Sequence, residues 1–334
     1  MRDVHVGIVG LGNVGAGSLT ILTENAEQIA RKLGFRLVVS AVCSRTAKSK
    51  TLPAGLAGAL VTEDWREVAA HPEVEIVAEL IGGTGVAREV VEGAIAAGKS
   101  VVTANKELIA LDGVALWRQA AARGVTLAME ASVCGGIPIH GVLREGIAAD
   151  RIQALHGILN GTSNYLLSEI EQHNREFGEV LAEAQRLGYA EADPSADIDG
   201  FDARSKLALL ASLAFGVQLK PSEIPTAGIR PITPVDFRYA AQVGCTIRLV
   251  CSAEDTPEGL FLAVRPALIP NDAILASVRG AYNAVWARGV YGADTFYYGK
   301  GAGPAPTGVA AAPPPACARS RAPSRDGRPS PSPP

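Results

Sequence analysis

Five acidic residues precede a lysine in a short stretch of the chain, residues 188–206. The acids are Glu191, Asp193, Asp197, Asp199 and Asp202, and the lysine is Lys206. If the apolar run over residues 203–215 is a helix, Asp202 and Lys206 share one face because they are four residues apart. Carboxylates beside a lysine can bind a small cationic substrate and transfer a proton. A solvated acidic loop leading into a helix has the same pattern, so other motifs must decide between the two.

A second lysine, Lys106, stands at the predicted start of a helix over residues 106–123. A cation is unfavourable at a helix N-terminus, so this position suggests that Lys106 binds an anion or orients a carbonyl group. Lys106 follows the predicted strand 100–103, and Thr84 follows the predicted strand 76–80. Ligands of open α/β sheets bind at these carboxyl ends of strands.

A glycine-rich turn lies directly after the first predicted strand and before a helix. Its residues are Gly10, Leu11, Gly12, Asn13, Val14 and Gly15. In the dinucleotide-binding fingerprint the first glycine allows a tight turn, the second lets the backbone approach a pyrophosphate, and the third lets helix and strand pack closely. At the end of the second strand Arg45 is present and an acid is absent, which favours NADP, with NAD as a tolerated alternative. A surface arginine without a ligand would give the same pattern.

Short β-branched runs alternate with longer amphipathic runs in the N-terminal part of the chain. The predicted strands are residues 4–9, 36–42, 76–80, 100–103 and 126–130, and the predicted helices are one long helix ending near Gly34, then 64–70, 87–97 and 106–123. This order predicts an α/β fold, a Rossmann-type doubly wound parallel sheet. Further strands are predicted at 152–159, 246–253, 260–268, 284–290 and 294–298, which indicate a second α+β domain. This domain would carry the acidic cluster and Lys206 for catalysis, and its sheet is the expected surface for dimerisation.

Composition restricts the class of protein. The chain has 334 residues, 48% hydrophobic content, a formal charge of -3 and five cysteines. The size favours two domains, and the absence of a basic stripe argues against nucleic-acid binding. No apolar stretch reaches roughly 20 uncharged residues, and no signal peptide precedes the first strand, so a cytoplasmic protein without a membrane partner is expected. An odd number of cysteines without a Cys-x-x-Cys pair predicts reduced, buried thiols.

Six segments together resemble homoserine dehydrogenase. They are residues 10–15, 79–84, 103–107, 130–138, 160–165 and 188–206, and the resemblance runs from about residue 4 to residue 307. It implies reversible NAD(P)H-dependent reduction of L-aspartate 4-semialdehyde to L-homoserine, a step toward threonine, methionine and isoleucine. It also implies a homodimer.

The resemblance gives the motif residues expected roles. Hydride transfer to an aldehyde leaves an alkoxide that needs an acid, and a lysine with a lowered pKa can be that acid, so Lys206 is the candidate. Asp202 would orient the substrate hydroxyl, Glu191 would bind the α-ammonium group, and Lys106 would lie beside the nicotinamide. Thr162 and Gly188 complete the expected substrate site, and Gly301 and Gly303 the expected cofactor site. Asp193, Asp197 and Asp199 are expected to be loop and capping residues.

The family pattern also implies a monovalent cation, usually sodium. Its expected ligands are Glu130 and the main-chain carbonyl groups of Val133, Gly135 and Ile137, a set of oxygen atoms suited to a hard cation. Glu130 could instead cap a turn or form an ion pair at a domain hinge.

A rival function uses Cys134 as a nucleophile with His140 or His156 as its base, as in semialdehyde dehydrogenases. It would leave the acidic cluster and both lysines without a role. The histidines otherwise lack metal-ligand spacing.

The expected domain limits are 1–132 with a return segment 299–308 for the nucleotide domain, and 133–298 for the catalytic domain. Residues 309–334 are rich in proline, alanine, arginine and serine, which predicts a disordered tail instead of the helix that follows in the family. No C-terminal ACT regulatory domain is expected. A shifted reading frame or a natural linker would each explain the tail, and an impaired product that binds nucleotide is an alternative outcome.

Overall fold

The computed structural model describes residues 1–47, 56 and 58–319. The chain forms two compact units, residues 1–135 with the segment from residue 303 onward, and residues 136–302. The boundaries expected from the sequence, 132/133 and 298/299, lie within a few residues of these. In the described part of the chain, no helix is long and apolar enough to cross a membrane.

The first unit contains a six-stranded parallel sheet with the order β3-β2-β1-β4-β5-β6. The strands are β1 Arg2–Val9, β2 Phe35–Cys43, β3 Leu60–Thr62, β4 Val74–Glu79, β5 Ser100–Thr103 and β6 Leu127–Ala128. Val6, Ile76 and Val102 are fully buried, as expected where helices cover both faces of a parallel sheet. The predicted doubly wound sheet is confirmed, and β3 is an additional strand of three residues.

Among the described residues before 135, the first unit has five α-helices. They are α1 Asn13–Glu24, α2 Ala26–Leu33, α3 Trp65–Ala70, α4 Val86–Ala96 and α5 Lys106–Ala122. The single long helix predicted to end near Gly34 is two helices, because the backbone of Asn25 leaves the helical conformation. Gly34 ends α2 in the left-handed conformation, with φ +79°.

The second unit contains a five-stranded antiparallel sheet with the order β11-β10-β7-β8-β9. Its strands are β7 Ile152–Ile158, β8 Cys245–Thr256, β9 Gly259–Pro270, β10 Tyr282–Gly289 and β11 Asp294–Lys300. Its helices are α6 Ile139–Gly141, α7 Gly161–His173, α8 Phe177–Arg186, α9 Ser195–Ile198, α10 Phe201–Phe215 and α11 Pro234–Gln242. The Cys251 thiol approaches the carbonyl oxygen of Ala203 in α10 at 3.8 Å, so α10 covers the Cys251 face of the sheet. The predicted α+β sheet is therefore present.

The described C-terminal residues form two helices, of which the first begins in the expected return segment and the second lies in the tail that was predicted to be disordered. They are α12 Pro304–Ala310 and α13 Pro315–Arg319. Pro304 and Pro315 are each the first helical residue, where the missing N–H would have no partner within the helix. Cys317 and Ala318 are buried in the core of the first unit. The prediction is wrong for residues 309–319, and its remainder, residues 320–334, lies outside the described residues.

Close backbone contact joins α12 to α1, the helix that follows the glycine-rich turn. A Cβ atom at Gly17 would lie 2.2 Å from the carbonyl oxygen of Pro304, and one at Gly308 would lie 2.9 Å from the carbonyl carbon of Gly17. Only glycine allows this approach at both positions. The return segment therefore supports the first helix of the nucleotide-binding turn.

Candidate active site

The glycine-rich turn has the geometry that a bound pyrophosphate requires. Gly10 has φ +107°, and its N–H donates to the carbonyl oxygen of Cys43 at 2.8 Å. A Cβ atom at Gly15 would lie 1.8 Å from the carbonyl oxygen of Gly10, whereas one at Gly12 would have no atom within 4 Å. Gly15 is thus needed for packing, and Gly12 leaves open space beside the N-terminus of α1. Free N–H groups at this N-terminus can bind phosphate.

Two further loops of the first unit follow β4 and β5. Thr84 is exposed in the loop after β4, where Gly82 and Gly83 have φ +77° and +70°. Lys106 is the first residue of α5, directly after the N-cap Asn105, whose side-chain oxygen accepts from the N–H of Leu108 at 3.1 Å. Because the strands are parallel, both loops are at the same edge of the sheet as the glycine-rich turn. Arg45 is exposed two residues after the end of β2.

The second unit holds Lys206 in a buried ion pair. The Nζ atom of Lys206 lies 2.7 Å from Oδ2 of Asp202, one turn earlier in α10, and donates to the carbonyl oxygen of Leu159 at 2.9 Å. The Lys206 and Asp202 side chains are only 12% and 9% exposed. The side-chain amide of Asn283 donates to the same Leu159 oxygen at 2.9 Å. The pair is therefore held rigidly where α10 faces the end of β7.

Asn160 connects the two carboxylates of this cluster. Its Nδ2 atom donates to Oδ1 of Asp197 at 2.6 Å and to Oδ2 of Asp202 at 2.8 Å, while its Oδ1 atom caps α7 by accepting from the N–H of Ser163 at 2.7 Å. Asp197, which was expected to be a loop or capping residue, is thus in contact with this cluster. Asn160 lies 37 residues before Asp197, so no local sequence pattern indicates their contact.

Asp197 is the acid of this cluster whose environment opposes ionisation. Burial raises its pKa; the hydrogen bond from Asn160 lowers it, and the charge of Asp202 raises it further. By contrast, Asp199 is paired with Arg230 and has a lowered pKa, and Asp193 accepts from the N–H of Ser195 at 3.1 Å. These two acids therefore stabilise the loop, while Asp197 belongs to the cluster around Lys206.

Of the remaining predicted substrate residues, Gly188 and Glu191 lie on the segment before α9, and Thr162 lies in α7. Gly188 is exposed and has φ +79°, and the hydroxyl group of Thr162 donates to the carbonyl oxygen of Tyr189 at 2.8 Å. Glu191 has an exposed side chain, and its carbonyl oxygen accepts from the Gln185 amide at 3.0 Å. The segment is thus anchored to α7 and α8, with the Glu191 carboxylate accessible to a ligand.

The predicted cation ligands follow a turning backbone. Glu130 begins a short 3-10 helix, Val133 is extended and fully buried, and Gly135 has φ +32°. The carbonyl oxygen of Ile137 already accepts from the N–H of Ile139 at 2.8 Å, which leaves it one further lone pair. Among the described residues, no group of three or more His, Cys, Asp or Glu side chains could hold a metal ion. Any cation site here would depend mainly on carbonyl oxygens.

Cys134 and His140 of the rival mechanism are buried, and His156 is half-buried. Cys134 is 1% exposed and has φ +54°. Burial, aided by the charge of Arg144, lowers the pKa of His140 to about 3. Burial also lowers the pKa of His156, whose Nδ1 atom lies 3.0 Å from Oγ of Ser252 and whose ring stacks on Trp286. Both imidazoles are therefore neutral at physiological pH.

The first unit has a parallel doubly wound sheet with a dinucleotide-binding turn, and the second unit carries a lysine and carboxylates that can transfer a proton. These features define a nicotinamide-dependent oxidoreductase. Family models agree on the class and narrow it. Residues 10–130 match the NAD-binding domain of homoserine dehydrogenase, and residues 138–312 match the homoserine dehydrogenase domain. The chain belongs to the homoserine dehydrogenase family.

Individual relatives support this assignment. The homoserine dehydrogenase of Pseudomonas aeruginosa is 46% identical over 307 residues, which cover 92% of this chain and 70% of that protein. The crystal structure of a homoserine dehydrogenase from Thiobacillus denitrificans matches with a TM-score of 0.88 and 47% identity, over 93% of this chain and 72% of the other. A hyperthermophilic archaeal homoserine dehydrogenase mutant in complex with NADPH matches with a TM-score of 0.76 and 26% identity, over 93% and 95% of the two chains. The chain is thus an enzyme of amino-acid biosynthesis that interconverts L-homoserine and L-aspartate 4-semialdehyde.

Proposed function

We propose that Lys206 is the proton donor and acceptor of this dehydrogenase. The observation that carries the proposal is the buried Lys206–Asp202 pair, which Asn160 joins to Asp197. The bound nicotinamide would supply or accept the hydride. During reduction of the semialdehyde, the alkoxide oxygen takes a proton from Nζ of Lys206, and the resulting amine is reprotonated from solvent. The oxidation of L-homoserine follows the same path in reverse.

The carboxylates of the second unit would provide substrate selectivity. Glu191 is proposed to bind the α-ammonium group by a charge-assisted hydrogen bond, with Thr162 and Gly188 shaping the same part of the site. Asp202 orients both Lys206 and the substrate hydroxyl. Asp197 would help to hold Asp202 in place, because both carboxyl groups accept from the same Asn160 amide.

4-Hydroxybutyrate tests this assignment because it has the reacting alcohol of L-homoserine but no ammonium group. We expect its kcat/KM to be about a hundredfold lower, since the loss of a charge-assisted hydrogen bond costs up to about 3 kcal/mol. Glu191→Gln should reduce the difference between the two substrates, mainly by impairing use of L-homoserine. Equal use of both substrates by the unmodified chain would contradict the proposed selectivity.

The cofactor site is proposed to comprise the glycine-rich turn, Thr84, Lys106 and the return segment with Gly301 and Gly303. The N–H groups at the start of α1 would bind the pyrophosphate. Lys106 would lie at the nicotinamide end. Arg45, exposed just after β2, is proposed to favour NADP over NAD by pairing with the 2′-phosphate.

Arg45→Glu tests the NADP preference. It should raise the KM for NADP about a hundredfold because a carboxylate would repel the 2′-phosphate, while the KM for NAD should change little. The matched control is Arg118→Glu, a charge reversal at another exposed arginine of the first unit. Steady-state kinetics with both cofactors measure the ratio. If NADP and NAD were affected equally by Arg45→Glu, Arg45 would have no role in discrimination.

A monovalent cation, sodium in the first instance, is proposed to bind Glu130 and the carbonyl oxygens of Val133, Gly135 and Ile137. The turning backbone of this segment supports the proposal, because it presents successive carbonyl groups in different directions. The cation would fix this segment and would take no part in hydride transfer.

A homodimer is proposed to form through the second sheet. The strand register places His156 beside Trp286 and Ser252, on the face opposite to the one covered by α10, and the partly exposed Phe261 lies on the same face. Aromatic residues on an open sheet face are typical of subunit interfaces.

The five cysteines are free thiols, which fits a reducing compartment, and the cytoplasm is the proposed location.

A further inference from the structure

The side chain of Glu79, the last residue of β4, is fully buried although it is an acid. Its Oε2 atom accepts from the hydroxyl group of Thr103 at 2.6 Å, and its Oε1 atom accepts from the N–H groups of Ile81 at 2.9 Å and Gly82 at 3.3 Å. A buried carboxylate is unfavourable unless hydrogen-bond donors surround it. These donors come from two different segments, the end of β5 and the loop after β4.

A second connection joins the same two segments. The side-chain amide of Asn105 donates to the carbonyl oxygen of Gly83 at 2.6 Å, and the N–H of Asn105 donates to the hydroxyl oxygen of Thr103 at 2.9 Å. Thr103 thus donates to Glu79 and accepts from Asn105. Since Asn105 is also the N-cap of α5, the network fixes the first residue of that helix, Lys106, relative to the glycine loop.

The loop after β4 also contacts the nucleotide-binding turn. The N–H of Leu80 donates to the carbonyl oxygen of Val9 at 2.8 Å, and a Cβ atom at Gly10 would lie 2.5 Å from the carbonyl oxygen of Leu80. The segments after β1, β4 and β5 therefore form one connected structure, and the Glu79 carboxylate lies at its centre.

We propose that Glu79 is a positioning residue that holds Thr84 and Lys106 in the arrangement that binds the nicotinamide end of the cofactor. This inference rests on the proposed cofactor site. A carboxylate suits the position because it only accepts hydrogen bonds, and all three neighbouring groups donate. A glutamine would direct N–H groups at some of these donors. Gly82 and Gly83 would then be free to adopt other backbone conformations, because glycine has many available.

The test compares Glu79→Gln with the unmodified chain in binding two probes. NADPH contains the nicotinamide, and 2′-phospho-ADP-ribose lacks it but keeps the rest of the cofactor. Glu75→Gln is the matched control, because Glu75 lies on the same strand and pairs with Arg2 at 2.5 Å. We expect Glu79→Gln to raise the Kd for NADPH about tenfold, with the Kd for 2′-phospho-ADP-ribose and both values for Glu75→Gln close to those of the unmodified chain.

A purely structural role for Glu79 would give a different result. It would lower the Tm while leaving the NADPH affinity of the folded protein unchanged, and that result would overturn the proposal. An equal loss of affinity for both probes would also overturn it, because the effect would not be confined to the nicotinamide end. If the unmodified chain bound neither probe, the proposed cofactor site itself would fail.

A second pair of variants covers the case in which Glu79→Gln does not fold. Thr103→Val removes the hydroxyl donor but keeps the branched shape, and Thr103→Ser restores the donor. The valine variant should show the same selective loss of NADPH affinity, and the serine variant should recover most of it. Equal affinities of the valine and serine variants would contradict the role of the network.

Discussion

Lys206→Met should lower kcat for L-homoserine oxidation about a thousandfold, with the Kd for NADPH unchanged. The variant keeps most of the apolar stem but lacks the group that accepts the hydroxyl proton, and general acid–base catalysis by a positioned side chain contributes between about a hundredfold and ten-thousandfold. Cofactor binding should persist because the glycine-rich turn belongs to the other compact unit. Stopped-flow measurement of reduced nicotinamide and fluorescence titration of NADPH give the two quantities.

The control for this prediction is Lys220→Met, because Lys220 is an exposed lysine of the same unit. It should retain normal turnover. Lys206→Met also leaves Asp202 without its ion-pair partner, so some loss of stability is expected, and kcat must be measured well below the Tm. If folded Lys206→Met that binds NADPH oxidised L-homoserine within about tenfold of the normal rate, another group would have to transfer the proton.

Gly15→Ala should weaken NADPH binding at least about a hundredfold and also destabilise the first unit. The new methyl group would overlap the carbonyl oxygen of Gly10, which would be only 1.8 Å away. Neither the methyl carbon, which is fixed to the backbone, nor this oxygen can move away without a change in the backbone of the turn. Opening the turn removes the N–H groups at the start of α1 from their position beside the pyrophosphate. Fluorescence titration and thermal unfolding measure the two effects.

Gly12→Ala provides the informative contrast. A Cβ atom at Gly12 has no atom within 4 Å, so this variant should keep its Tm and lose only cofactor affinity, because the methyl group occupies the space left for the pyrophosphate. Gly178→Ala in α8 also meets open space and is the neutral control. An unchanged NADPH affinity in Gly15→Ala would contradict the role of this turn.

Periodicity was sufficient to predict most of the regular structure. Buried β-branched runs predicted five of the six parallel strands. The four-residue spacing of Asp202 and Lys206 predicted that they share one helix face, where their charged atoms lie 2.7 Å apart. β3 was missed because three residues are too few to show a pattern. The C-terminal helices were missed because a segment rich in proline is expected to be incompatible with any helix. Pro304 and Pro315 are each the first residue of a helix, a position at which proline is well tolerated.

Long-range hydrogen bonds were the part of the site that the sequence could not indicate. Asp197 resembled its neighbours Asp193 and Asp199, and only the fold shows that it reaches Asn160. Glu79 was visible as an acid at the end of an apolar strand, but its partner Thr103 is 24 residues away. The position of Glu79 at the carboxyl end of a strand that is buried on both faces is the one signal that could have marked it for attention.

The most direct test of the account is the oxidation of L-homoserine with NADP by the purified chain, followed by the absorbance of the reduced nicotinamide. We expect saturable formation of NADPH that depends on L-homoserine, with L-aspartate 4-semialdehyde as the other product, and no comparable rate in Lys206→Met. Tight binding of NADP without formation of NADPH in the presence of L-homoserine would contradict it.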